Sequence, residues 1–326
     1  MAGNRALKDT DEPKNGVTAA APNSFMGKRS DADVINAADM HYLEKLSPEL
    51  QDVIRQQKQI LLLPDWPEKT RGVPNICLRS ALFGIIRRGR RRAVKGDIIA
   101  AINGLEIRYT GWQLDQGDFD VMTQTLHLQK HQRENTSEKY VRFRIKTFLC
   151  AIGRQSGKSG RDWLKDSFRR LTATALEISI EGKNRYLPEK YGYAGSLIDE
   201  FHYNDQEHTY LLKINPKLAE LFDAGWTRLQ WQQRLQLRSD LAKWLHGFYA
   251  SHRDPFPIKV STLKHLCGSD CKRLVDFRRG LRMAMQELIS VEAIGSWEID
   301  ATDKVHVCRS AKYKLLGGHS SHTQGA

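Results

Sequence analysis

The sequence has no apolar run of the roughly 18 residues that a membrane-crossing helix needs, and no lipidation motif. It is poor in cysteine, with five in 326 residues. The number is odd and only Cys267 and Cys271 lie close together, so neither a disulfide framework nor a paired zinc site is spelled out. Reduced, buried thiols and no metal are expected. The amino-terminal stretch lacks an apolar segment, being interrupted by Arg5, Lys8, Asp9, Asp11, Glu12 and Lys14. It therefore does not read as a signal peptide, and a cytoplasmic protein is expected. Acidic charge is in deficit: 51 Lys and Arg stand against 38 Asp and Glu, a formal charge of +13 with an isoelectric point near 9.5. Such a balance favours a polyanionic partner, most simply nucleic acid.

A constellation for covalent chemistry is also missing. Residues 153–159, GRQSGKS, resemble a phosphate-binding loop, but three residues separate the glycines where the cradle needs four. They also follow a helical pattern rather than a strand. His127 and His131 lie in a helical stretch with no carboxylate pair nearby, unlike a metal-dependent nicking site. His252 reads as a loop or backbone-contacting residue. No tyrosine nucleophile with an Arg/His constellation is found, so neither an enzyme nor a cofactor is expected.

What is present is a repeated plan. In residues 251–309 a strand at 256–260 leads to a helix opening at Ser261 or Thr262. The turn Gly268-Ser269-Asp270 precedes a basic helix, and two short strands at 296–299 and 305–308 follow. Strand, helix, turn, basic helix and hairpin is the order of a winged helix-turn-helix, whose second helix enters a major groove. Cys267-Gly268-Ser269-Asp270 is expected to be the turn and N-cap that aim this helix. Residues 140–214 repeat the order: a strand at 140–143, helices at 145–152 and 161–173, and wing-type strands at 174–181, 198–203 and 209–214. The two basic helices share Leu, then Phe, then Arg-Arg, at Leu164, Phe168, Arg169, Arg170 and at Leu274, Phe277, Arg278, Arg279. Upstream, Asn103-Gly104 predicts a two-residue hairpin between strands 98–102 and 105–109. Helices are predicted at 118–132 and 239–249 from their apolar spacing.

The fold class expected is therefore α+β, two tandem winged-helix (helix-turn-helix) domains with disordered N- and C-terminal tails. Residues 1–46 are read as the first tail and 47–213 as the first winged-helix domain with an N-terminal helix and docking segment. Residues 214–309 are the second winged-helix domain, and 310–326 the last tail. The helix begins at Ser47-Pro48-Glu49. The segment Gln59-Ile60-Leu61-Leu62-Leu63 that ends it reads either as a helix end packed on the first domain or as a linear peptide for another protein's groove.

The helical stripes Leu164, Phe168, Leu171, Ala175 and Leu274, Phe277, Leu281, Ala284, Met285, Leu288 should face the cores. The outward faces then carry Lys158, Arg161, Lys165 and Arg169 in the first domain. In the second they carry Lys272, Arg273, Asp276, Arg278, Arg279 and Arg282. An arginine fork matches a guanine edge, while an aspartate accepts from cytosine or orients a neighbouring arginine. Arg87, Arg88 and Arg90, in a run of five arginines over six positions, read as a solvated loop or as a phosphate clamp.

Several segments resemble the TrfA-type plasmid replication initiator family over about residues 60–309. They are Trp66-Pro67, Arg71, Pro74-Asn75, Arg79-Ser80-Ala81-Leu82-Phe83 and Tyr109-Thr110-Gly111. Further on come Arg170-Leu171, Ala173-Thr174-Ala175, Ser251-His252-Arg253-Asp254-Pro255-Phe256-Pro257 and Cys267-Gly268-Ser269-Asp270. The resemblance implies two winged-helix domains that bind directly repeated origin sites (iterons) in double-stranded DNA. It also implies opening of adjacent AT-rich DNA, with the single strand as a further partner. The host initiator, helicase and sliding clamp would be recruited in the bacterial cytoplasm, under a monomer–dimer equilibrium. Gln59, Ile60, Leu62 and Leu63 stand where the family carries its clamp-docking peptide, with Leu in place of the final Phe. The residues by themselves also allow a winged-helix transcriptional repressor binding an inverted site as a dimer.

Overall fold

Leu63 and Trp66 are both buried. The computed structural model describes residues 63–87, 89–102, 104–133, 140–181, 190–204 and 206–310. The expected N-terminal tail, the expected helix from Ser47, residues 311–326 of the expected C-terminal tail, and Gln59, Ile60, Leu62 and Arg88 lie outside the described residues. The element order is β1 (Thr70–Pro74), α1 (Asn75–Leu78), β2 (Phe83–Gly84), β3 (Ala93–Ile99), β4 (Leu105–Trp112), β5 (Leu114–Asp115) and α2 (Gln116–Arg133). Next come β6 (Val141–Arg144), α3 (Ile145–Ala151), α4 (Lys158–Thr172), β7 (Ala175–Glu181), β8 (Lys190–Gly195), β9 (Ile198–Asn204) and β10 (Thr209–Ile214). A 3-10 turn (Pro216–Ala219), α5 (Glu220–Asp223), β11 (Trp226–Gln230), α6 (Trp231–Gln236) and α7 (Asp240–Ala250) follow. The chain then forms β12 (Ile258–Lys259), α8 (Val260–Leu266), α9 (Leu274–Ser290), β13 (Ser296–Ile299) and β14 (Lys304–Cys308).

Two winged helices of one plan are present. The first is α2, β6, α3, α4, β9, β10, and the second is α7, β12, α8, α9, β13, β14. In both, the strand before the helix pair bonds to the last strand, which bonds to the middle one: the sheet orders are β6-β10-β9 and β12-β14-β13. The alternation in Val141-Arg142-Phe143-Arg144 buries the two apolar residues and exposes the two arginines, as a half-buried strand requires. Phe143, Phe148, Phe168, Phe201 and Tyr210 stack or meet edge-on under the first wing.

The structure corrects several expectations. Residues 174–181 do not belong to the first wing. Strand β7 pairs with β4 and β8, forming a four-stranded antiparallel sheet of order β3-β4-β7-β8. A β pattern marks a strand but not its partner, and here the partner precedes α2. Ala175 consequently lies on β7, not on the core stripe of α4. The hairpin around Asn103-Gly104 is longer than two residues, because 100–102 are diverted: Ala81 N donates to Ala100 O, Ile102 N to Arg79 O, and Ser80 bridges Ala101. Helix α4 begins at Lys158 rather than 161, and Gly160 makes that possible. A Cβ there would fall well inside contact distance of the Gln155 carbonyl oxygen.

Two hydrophobic cores underlie the winged helices. The first includes Trp66, Phe83, Phe119, Leu126, Phe148, Phe168 and Tyr210, and also Ile214, Leu218, Phe222 and Trp231. The second starts at Leu237 and gathers Trp244, Leu245, Phe248, Leu263, Phe277, Leu281, Met285 and Val305. Residues 214–231 thus pack with the first core, partly because β11 pairs antiparallel with β1.

Candidate nucleic-acid interface

Helix α9 buries Phe277, Leu281, Ala284, Met285 and Leu288, the five positions that a 3.6-residue period places on one face. Lys272, Arg273, Arg279 and Arg282 are exposed on the other side. Arg273 occupies the N-cap with extended backbone and no side-chain cap. The helix therefore starts later than expected, and Asp270 is not its cap. Gly268 takes a left-handed φ of 64° and packs against Ala81, which turns the chain between α8 and α9. Cys267 and Cys271 are buried, and their thiols donate to the carbonyls of Lys264 and Arg273 at 3.4 Å. Burial pushes the Cys267 thiol up to about 12. No group of three His, Cys, Asp or Glu placed to hold a metal occurs among the described residues.

Asp276 sits within the exposed face and binds Arg273 by two hydrogen bonds, Nε to Oδ2 at 2.7 Å and Nη2 to Oδ1 at 2.9 Å. Arg279 lies 3.9 Å from the same carboxylate. The hydrogen bond from Arg273 holds the Asp276 carboxyl below its ordinary range, and its charge and that of Arg279 add to this. Arg278 does not join this row. Its guanidinium forks onto Asp303 at 2.9 and 3.0 Å. Asp303 is in the β13–β14 turn with φ of 61°, so Arg278 ties α9 to its wing.

Helix α4 follows the same logic. Leu164, Ser167, Phe168 and Leu171 are buried, while Lys158 and Arg169 are exposed and Arg161 is half-buried. Lys165 lies 4.1 Å from the ring centre of Tyr203 on β9, a cation–π contact between α4 and the wing. Arg169 pairs with Asp166 at 2.9 Å. Arg170 turns inward onto the fully buried Asp118 at 2.7 Å. Of each Arg-Arg pair in the repeat, one member therefore serves the fold and the other faces water.

The arginine loop divides in the same way. Arg91 binds Asp115 and, at 2.8 Å, Asp118. Arg87 and Arg90 are exposed. Arg87 reaches Asp270 at 3.2 Å, which brings the loop between β2 and β3 beside the turn before α9. Desolvation works against charge on Asp118, but Arg170, Arg91 and Ser167 outweigh it and hold the carboxyl below its usual range.

A buried polar latch fixes the second winged helix on the first. Arg234 of α6 donates to Asp120 of α2 at 2.6 Å, to the side chain of Gln116 at 2.9 Å and to the Lys243 carbonyl at 2.8 Å. Lys243 of α7 in turn donates to Asp120 at 2.7 Å. Trp244 Nε1 donates to Ser80 O at 3.1 Å, and Arg79 donates to both the hydroxyl and the carbonyl of Ser251. Ile85 and Ile102 pack on the second core.

The expected set omitted two matching cations. Arg144 and Lys259 are the N-caps of α3 and α8, the same position in the two winged helices, and both are exposed. The alternation of Ile258-Lys259-Val260 with that of Phe143-Arg144-Ile145 was the available signal. Leu63, by contrast, is buried in the first core. His252 Nδ1 lies 2.7 Å from the Phe248 carbonyl oxygen, and its ring packs on Phe248 and Phe256. Gly153 and Lys158 flank a turn between two helices, not a strand-to-helix cradle.

The chain is similar to several known proteins. Over 248 residues the chain is 26% identical to the plasmid replication initiator protein TrfA of Escherichia coli, covering 73% of this chain and 62% of that protein. The chain thus spans less than two thirds of that relative's length. Domains 2 and 3 of RctB superpose with a TM-score of 0.48 at 14% identity, covering 66% of this chain and 85% of that one. The Pi initiator protein, crystallised in complex with iteron DNA, superposes with a TM-score of 0.43 at 18% identity, covering 59% of this chain and 89% of that one. The model of the TrfA protein family matches residues 29–309, and the chain belongs to that family.

Proposed function

We propose that this chain is a plasmid replication initiator that binds directly repeated origin sites (iterons) in double-stranded DNA. The observation that carries the reading is the pair of winged helices of one topology, latched together, each with solvent-facing cations on its recognition helix. The two readers differ in sequence. One chain therefore has no internal dyad, and its site has a direction. Repeats of such a site are naturally read head to tail, whereas an inverted site calls for a two-fold dimer. Membership of the TrfA family and the name of the E. coli relative support the same reading.

On this reading the protein acts in the bacterial cytoplasm by binding and not by making or breaking bonds. It opens the neighbouring AT-rich duplex, holds the exposed single strand, and brings in the host initiator, helicase and sliding clamp, with dimerisation withdrawing the active monomer. Lys158, Arg161, Lys165, Arg169, Lys272, Arg273, Arg279, Arg282 and the Arg87–Arg90 loop supply the DNA-facing charge. Gln59, Ile60 and Leu62 supply the clamp contact.

Footprinting on the origin of the chain's own plasmid tests the core of the proposal. Protected sites in direct repeat, with affinity falling steeply as salt rises, are expected. A single inverted site bound by a stable dimer identifies a repressor instead. Clamp capture that survives Gln59→Ala with Leu62→Ala removes the docking assignment.

A further inference from the structure

Four features meet at the first turn of α9. Arg273 is 73% exposed although both Nε and Nη2 are engaged by Asp276. That engagement uses the side of the guanidinium and leaves its end, one N–H on Nη2 and two on Nη1, pointing away from the carboxylate. The free end is the two-donor fork that fits O6 and N7 of guanine. Asp276 itself needs explaining, because a carboxylate on a surface that approaches phosphate is repelled unless cations neutralise it. Here Arg273 is forked onto it and Arg279 stands at 3.9 Å.

Val275 supplies an independent signal. It is 58% exposed, outside the core stripe of its helix, and one turn before the exposed Arg279. A β-branched apolar residue weakens a helix slightly and gains nothing in water. In a major groove it meets the thymine C5-methyl. Arg87, held at 3.2 Å from Asp270, places a further cation beside the same turn, where it can engage phosphate.

We propose that the first turn of α9 reads a guanine through the free end of Arg273, with Asp276 as the residue that positions it, and an adjacent thymine methyl through Val275. This rests on the DNA-binding function proposed above and names the bases that the second winged helix recognises. Lys272, Arg279 and Arg282 then serve the backbone, which carries no sequence information.

The test uses the full chain and a duplex carrying one repeat from its origin, with each guanine replaced in turn by 7-deazaguanine and each thymine by deoxyuridine. For the wild type, one guanine position is expected where loss of N7 weakens binding about ten-fold, the size of a bidentate base contact. At that position the analogue costs Arg273→Ala nothing further. Asp276→Asn is expected to reduce the penalty for replacing that guanine by adenine, a readout that a merely structural role would leave unmoved. At one neighbouring thymine, loss of the methyl weakens the wild type but not Val275→Ala. All three side chains are partly or largely exposed, so folding of the variants is preserved and is checked by thermal melting. If analogue and substitution effects multiply independently at every position, or Arg273→Ala weakens repeat and random DNA equally, this inference is overturned while the initiator reading stands. Absence of any preference for the repeat overturns both.

Discussion

Asp120 and Arg234 lie 114 residues apart in the chain and 2.6 Å apart in the fold, each no more than 3% exposed. Asp120 belongs to the first winged helix, and Arg234 hydrogen-bonds the backbone of the helix that opens the second. Removing one partner leaves a buried charge without its counter-ion, so Asp120→Ala is expected to cost about 3–5 kcal/mol. Urea unfolding of the wild type and the variant measures this. The same change should loosen one recognition helix against the other and weaken binding to a complete repeat more than binding to random DNA.

His246 is buried in α7 beside this latch, with Nδ1 lacking a hydrogen-bond partner. Burial pushes its pKa down to about 3; the charge of Arg234 also lowers it, and Asp120 opposes the shift. The folded protein thus keeps this ring neutral, while the unfolded chain protonates it near pH 6.5. The resulting stability is complete above about pH 6.5 and is lost progressively as pH falls towards the folded pKa. At pH 5 His246 alone is expected to remove about 2 kcal/mol. Urea midpoints at pH 7 and pH 5 should show a smaller difference in His246→Leu than in the wild type.

Gly160→Ala should destabilise the first winged helix by about 1–3 kcal/mol, the usual cost of overpacking. The Gln155 carbonyl is backbone and cannot swing aside. Thermal unfolding measures the loss. Gly157→Ala serves as the control, since a Cβ there meets nothing within 4 Å.

Arg278 and Asp303 should behave as one unit in DNA binding. Arg278→Ala and Asp303→Ala are expected to weaken binding alike, and the double variant no further, because each releases the wing from α9. Fluorescence anisotropy across a salt series separates this from a phosphate contact. A direct contact would lower the salt slope by about one in Arg278→Ala but not in Asp303→Ala.

The elements legible in the sequence were those set by local periodicity. The buried stripes Leu164, Phe168, Leu171 and Phe277, Leu281, Met285, Leu288 follow from helical spacing, and the strand Ser296–Ile299 from alternation. The helix expected at 239–249 follows from its apolar spacing, and the structure places it at Asp240–Ala250 with Ser239 as its N-cap. Helix starts were misplaced by a few residues, and the sheet partner of one strand required a distant segment. The strand at 175–181 was recognisable, but its pairing with 105–112 was not. The segments that carry the family resemblance show why such contacts matter: Arg79 bonds Ser251, Gly111 packs on Ala173 and Thr174, and Gly268 packs on Ala81. Much of that signature therefore holds the fold together.

The candidate interface divides in the same way. By itself the sequence determined that the chain is basic, that it repeats one winged-helix plan, and which helical faces carry the cations, because charge and period are local properties. Only the tertiary structure decided which cation of each Arg-Arg pair faces water. Whether an arginine of either pair faces water depends on where a carboxylate from another element lies: Asp118 takes Arg170 and Asp303 takes Arg278.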